Sequence, residues 1–92
     1  MNVKFVWDAE KERLNREKHG VDFHQARLVF LDPKRKIFKD EKHSCEEERF
    51  FCIGKAGAEI LTVRFVYRND EIRIIGAGFW RKGRSYYEEK KD

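Results

Sequence analysis

His19 closes the run Asn15-Arg16-Glu17-Lys18-His19-Gly20, and Arg64 stands in the middle of the cleanest apolar–polar alternation in the chain. An imidazole moves protons near neutral pH. A guanidinium forks two hydrogen bonds onto a phosphate. Arg73 alternates with Ile75 and Ala77, and a tail of Phe79, Trp80, Arg81, Lys82 and Arg84 follows the glycine pair Gly76 and Gly78. Cations set among aromatic rings suit a polyanion whose bases can stack. The chain shows no serine–histidine–acid order, paired catalytic acids, phosphate-cradling glycine loop or metal motif. Arginine, lysine, histidine and tyrosine are left, a set that fits metal-independent RNA cleavage. In that reaction the RNA's own 2′-hydroxyl attacks the adjacent phosphate, cations stabilise the charged transition state and a histidine moves protons.

Each of these residues also has a plainer reading. His19 at a helix end is equally a cation interacting with the helix dipole, worth ~0.3–1 kcal/mol. Arg64 is equally half of a cross-strand ion pair, with Glu48 as partner. Gly76 and Gly78 mark either a β-bulge or a place where a ligand or backbone comes close. The basic tail is equally a solvated terminus.

Size and composition narrow the field. Ninety-two residues suit one domain over residues 1–92. Eight Phe, three Tyr and two Trp supply enough buried area for a folded core, while 41% charged residues demand a highly charged surface. The net charge of +4 permits nucleic-acid binding without requiring it. Its distribution is more telling. Arg64, Arg68, Arg73, Arg81, Lys82 and Arg84 face only Asp70 and Glu71 in the same stretch, whereas acids gather at Glu46, Glu47 and Glu48. Cys45 and Cys52 read as reduced thiols of a cytoplasmic protein. With His43 nearby they still lack the paired ligand doublets of a zinc site. No apolar run approaches the ~20 residues that span a bilayer.

The elements that must position these residues follow from periodicity and punctuation. Val3–Trp7 is predicted as a first strand. Asp8 is placed to cap a helix over Ala9–His19 that ends at Gly20. That helix is polar, and Lys11, Asn15 and Lys18 fall along one side. Asp22 caps a second helix, with Val21 and Ala26 as a hydrophobic staple and Phe23, Ala26, Val29 and Phe30 as its apolar stripe. Asp32-Pro33 stops it. Lys36–Asp40 reads as an edge strand, Glu41–Glu46 as a loop and Glu48–Gly54 as a strand leading into a turn at Lys55–Ala58. Glu59–Tyr67 puts Leu61, Val63, Phe65 and Tyr67 on one face. Asn69-Asp70 turns into a strand over Glu71–Ala77, and Gly83–Lys91 into a short terminal helix. The order implies an α+β fold: an antiparallel sheet with two N-terminal helices on one face.

Taken together, Phe5-Val6-Trp7-Asp8, the Asn15–Gly20 run, Phe23 with Ala26, Phe30 with Asp32-Pro33, Glu47-Glu48-Arg49-Phe50 and Ile72-Arg73-Ile74-Ile75 resemble the BrnT family. These are the toxins of BrnT–BrnA toxin–antitoxin modules. The resemblance runs from about Val3 to Glu89. It implies a RelE-like fold, ribonuclease activity that inhibits translation, and neutralisation by a BrnA-like antitoxin in a two-plus-two complex; with no metal ligands evident in the residues, no cofactor is expected. DNA would be bound only through that antitoxin, and the isolated chain would be mainly monomeric. His19 matches the histidine of the family's Lys-His-Gly motif, and Arg64 and Arg73 match its basic strand positions. Many members carry an arginine where Gly78 stands here. Arg81 is expected to supply that cation, with Lys18, Trp80, Lys82 and Arg84 as further RNA contacts. A basic interaction module without catalysis is the alternative.

Overall fold

The computed structural model describes residues 3–43 and 46–89. Cys45 and the end of the expected terminal helix at Lys91 lie outside them.

Strand β1 (Lys4–Val6) leads to Asp8, whose carboxylate accepts the Lys11 N–H at 2.9 Å and starts α1 (Ala9–His19). Gly20 ends α1 at φ 70°, a left-handed conformation that glycine adopts freely, and its N–H donates to the Arg16 carbonyl. Asp22 caps α2 (Phe23–Ala26) in the same way, accepting the Gln25 N–H at 2.7 Å. The expected single helix tightens after Ala26 into a 3₁₀ segment, Arg27–Leu31. At about three residues per turn, Ala26 and Val29 share one side, and both are fully buried while Phe30 is only partly covered.

The sheet then forms from β2 (Lys36–Lys39), β3 (Arg49–Ala56), β4 (Glu59–Arg68) and β5 (Glu71–Gly78), with a 3₁₀ turn at Glu41–His43 between β2 and β3. Its order is β1-β5-β4-β3-β2. The β3–β4 turn shrinks to Gly57-Ala58, because Lys55 and Ala56 still pair with Ile60 and Glu59. Asn69 and Asp70 take φ of 52° and 62°, as a tight hairpin requires. One expectation is corrected here: the sheet is mixed, because β1 runs parallel to β5, with Phe5 opposite Ile72. An alternation of apolar residues shows which face of a strand is buried and carries no strand direction.

Leu61, Val63 and Phe65 are buried with Val21, Phe23, Ala26 and Val29, so the strand alternation meets the helical stripe in one core. Tyr67, expected on the same face, is 53% exposed because β4 outruns its cover there. Cys52 is inside this core, and burial pushes its thiol up to about 12, so it is unreactive at neutral pH. No helix among the described residues is long and apolar enough to cross a membrane.

The last helix, α3 (Arg81–Glu88), packs through Gly83 onto the other face of the sheet, against Thr62 and Ile53. A Cβ at position 83 would overlap the Thr62 hydroxyl and come within 2.9 Å of Trp80 Cε3. In an exposed helix, Gly→Ala gains up to ~1 kcal/mol. Here the crowding reverses the sign. Gly83→Ala is expected to destabilise by ~1–3 kcal/mol, read as a lower midpoint in urea.

Candidate active site

Asn15 is the one buried residue of α1, and it organises the site. Its amide nitrogen donates to the Val21 and Ala77 carbonyls, both at 2.9 Å, and its oxygen accepts the Ala77 N–H at 3.1 Å. These bonds lock the end of α1 onto β5. One helical turn later, His19 lies over Gly78, where an added Cβ would stand 3.4 Å from the imidazole Cγ.

Arg64 is seated in a similar way. It faces Phe51 across β3–β4 and Gly76 across β4–β5. A Cβ on Gly76 would stand 3.1 Å from its Nη2 and 3.3 Å from its Nε. The register shifts between Arg64 and Phe65, where Ile75 is the extra residue, so both readings of the glycine pair hold. There is a bulge, and the glycines also clear room for the arginine and the histidine. Gly76 and Gly78 are two residues apart, roughly 7 Å along a strand.

His19 and Arg64 line one cleft of about 310 Å³ with Asn15, Phe51, Thr62, Ala77, Gly78, Phe79 and Trp80. No carboxylate is in that lining. Arg64 has no ion pair among the described residues; Glu48, the partner considered above, pairs with Lys39 at 3.4 Å instead. Trp80 stacks on Phe51 with centroids 5.5 Å apart and planes 29° apart, and it remains 40% exposed. The cleft therefore offers an unpaired guanidinium, an imidazole and an aromatic wall.

The other expected site residues lie elsewhere. Arg73 is opposite Val66, on the Arg64 side of the sheet but two residues further along, in a hollow with Arg68, Asn69 and Glu71. Arg81 and Arg84 line a neighbouring hollow with Glu59 and Ile60, which meets the cleft only at Phe79 and Trp80. Arg81 begins α3, and the helix carries it past the Gly78 position. Arg84 pairs with Glu88, and the Lys82 ammonium sits 5.9 Å from the Tyr86 ring centroid. Lys18 is exposed on α1, outside the cleft lining. Asn15, Phe51, Thr62 and Phe79 were not expected in the site. Asn15 carried the one usable signal: a poor helix former in mid-helix, four residues before a histidine.

A second network holds α3, and with it Trp80, in place. Asp32 accepts the Tyr87 hydroxyl and the Lys34 and Lys55 N–H groups. Lys36 Nζ donates to the Tyr86 carbonyl. Burial acts to raise the Asp32 carboxyl, but the bonds from Tyr87, Lys55 and Lys34 together hold it below its ordinary value. The bond to Asp32 pushes Tyr87 up to about 12, with burial adding to it. A raised tyrosine favours the folded state fully below its ordinary pKa of 10.0 and loses that contribution as pH rises through about 12. Asp32, held low, loses its contribution as pH falls. Tyr87→Phe is thus expected to flatten the alkaline side of the stability profile between about pH 10 and 12, measured by urea unfolding.

A short α+β chain thus carries an imidazole, an unpaired guanidinium and an aromatic wall in one cleft. The family model of the ribonuclease toxin BrnT, of type II toxin–antitoxin systems, matches residues 7–83. The chain belongs to that family. No curated protein matches the chain.

Proposed function

We propose that this chain is a metal-independent endoribonuclease with a RelE-like fold that acts in the cytoplasm and inhibits translation by cutting RNA. The carrying observation is that His19 and Arg64 line one cleft free of carboxylates. Arg64 forks onto the non-bridging oxygens of the scissile phosphate and neutralises the charge that builds there. The 2′-hydroxyl attacks that phosphorus and the bond to the 5′-oxygen breaks. His19 moves a proton in this exchange: the 2′-hydroxyl loses one and the 5′-oxygen gains one. The products are a 2′,3′-cyclic phosphate and a 5′-hydroxyl. Trp80 stacks a neighbouring base. Arg73 and Arg81 lie outside the cleft lining and act on flanking phosphates; Lys18, Lys82 and Arg84 extend the cationic surface.

Cleavage of a purified RNA by the wild-type chain is expected to be unchanged by EDTA. Rates abolished by the chelator and restored by a divalent ion would overturn metal independence. A second reading, RNA binding without cleavage, is favoured by the exclusion of Arg81 from the cleft. Salt-sensitive binding with intact RNA would decide for it.

A BrnA-like antitoxin is the proposed inhibitor, in a two-plus-two complex that alone contacts DNA. The isolated chain is taken as mainly monomeric. On the polar side of α1, Lys11 and Lys18 are exposed, while Asn15 between them is buried and engaged by Val21 and Ala77.

A further inference from the structure

A wide apolar hollow lies apart from the RNA cleft. It measures about 790 Å³. Its floor is an aromatic cluster in which Phe65 lies edge-on to Phe30 at 4.9 Å and stacked on Phe50 at 5.6 Å. Its rim is apolar as well: Leu31 is 68% exposed, Tyr67 53% and Ile37 50%. Isolated exposed apolar residues are ordinary, but a contiguous apolar hollow with an apolar rim is a mark of an interaction site.

The hollow is on the opposite face of the sheet from the cleft. Phe50 pairs with Phe65 and Phe51 with Arg64, and successive pairs along two strands point to opposite faces. One charge lines it, Arg35. Its guanidinium donates to the Asp32 backbone carbonyl at 3.2 Å, and no carboxylate pairs with it among the described residues. One wall is β2, an edge strand that pairs only with β3, so Ile37 stands beside an open strand edge.

We infer that this hollow is the anchoring site of the antitoxin, which inserts an apolar segment bearing an acidic residue that meets Arg35. The inference rests on the antitoxin partnership proposed above. The charge complementarity selects the occupant. A second copy set hollow against hollow would offer Arg35 no carboxylate, because Arg35 is the one charge in that lining. An acidic and apolar segment satisfies the guanidinium and covers the aromatic floor. Anchoring is thereby separate from inhibition: the antitoxin grips one face and must reach around the sheet to close the cleft on the other.

The test uses the full chain and the protein encoded by the reading frame adjoining its gene, co-expressed and purified. Leu31→Asp and Ile37→Asp alter exposed rim positions, so the core is not hollowed. Each is expected to weaken antitoxin binding by at least ~30-fold in calorimetry, the scale of a central interface residue, while RNA cleavage by the isolated variant stays at the wild-type rate. Arg35→Glu weakens binding similarly, and Arg35→Lys retains most of it. Wild-type affinity in both aspartate variants overturns the inference. So does a homodimer of the isolated chain that Leu31→Asp splits while antitoxin affinity is unchanged, because the hollow is then a contact between copies. A wild-type chain that binds the antitoxin through this rim but leaves RNA intact supports the inference and counts against the nuclease alone.

Discussion

Arg64→Ala is expected to lower the rate of RNA cleavage by ~10²–10³, the usual effect of removing one donor that stabilises transition-state charge. Little else should change. The side chain is exposed, has no ion pair among the described residues and rests on Gly76 without supporting the core. The melting temperature of the variant should therefore stay close to that of the wild type, so that lost activity reports chemistry rather than unfolding. Arg64→Lys is the informative companion. It keeps the charge but loses the planar fork, and it should recover only part of the rate. His19→Ala should fall by ~10²–10⁴, the range for a positioned proton-transfer group. If His19 and Arg64 act on one phosphate, the double variant should fall well short of the product of the single losses. Single-turnover cleavage of a short RNA, with circular dichroism on the same samples, checks all of these. Full activity in Arg64→Ala would remove this cleft as the place of reaction.

Asn15→Ala carries the second large effect, and it strikes stability and function together. The substitution removes the acceptor of the Ala77 N–H and the donors to the Val21 and Ala77 carbonyls, all in a buried setting. Unsatisfied buried groups cost ~1–3 kcal/mol each, and partial entry of water reduces the sum, so a loss of roughly 2–4 kcal/mol is expected. For a domain of this size that lowers the melting temperature by about 10–20 °C. Asn15→Asp should be no better, because it turns a carboxylate toward two carbonyl oxygens. The functional consequence comes through His19. Once α1 is released from β5, the imidazole no longer keeps its seat over Gly78. At a temperature where the variant is still folded, cleavage should fall at least ~10-fold, since small misplacements of reacting groups are costly. Thermal melts and cleavage rates measured below the melting transition separate the two effects. An unaltered rate in the folded variant would show that His19 is held by something other than this lock.

Much of the local structure was legible in the residues themselves. Asp8, Gly20 and Asp22 bound their helices where expected, because a cap is a hydrogen bond or backbone conformation within a few residues of chain. The alternation of Leu61, Val63 and Phe65 marked the buried face of β4, because side chains alternate whatever the strand pairs with. The family was visible too, in the order and spacing of short motifs.

Other features depended on contacts between distant segments. The parallel pairing of β1 with β5 joins the two ends of the chain, and neither strand's pattern encodes its neighbour or direction. Asn15 looked like one more polar residue on a polar helix. Its partner Ala77 is 62 residues away, so its burial is decided only when α1 docks. Arg64 and His19 line one cleft because β5 offers glycines at two positions and bulges at Ile75, whereas Arg81, close to Gly78 in sequence, lies at the start of α3 in a neighbouring hollow. The residues alone specify which elements form and which faces are apolar, through short-range sterics, hydrogen bonding and periodicity. The tertiary structure decides which charges share a cleft, because that depends on strand register and helix docking between parts of the chain far apart in sequence.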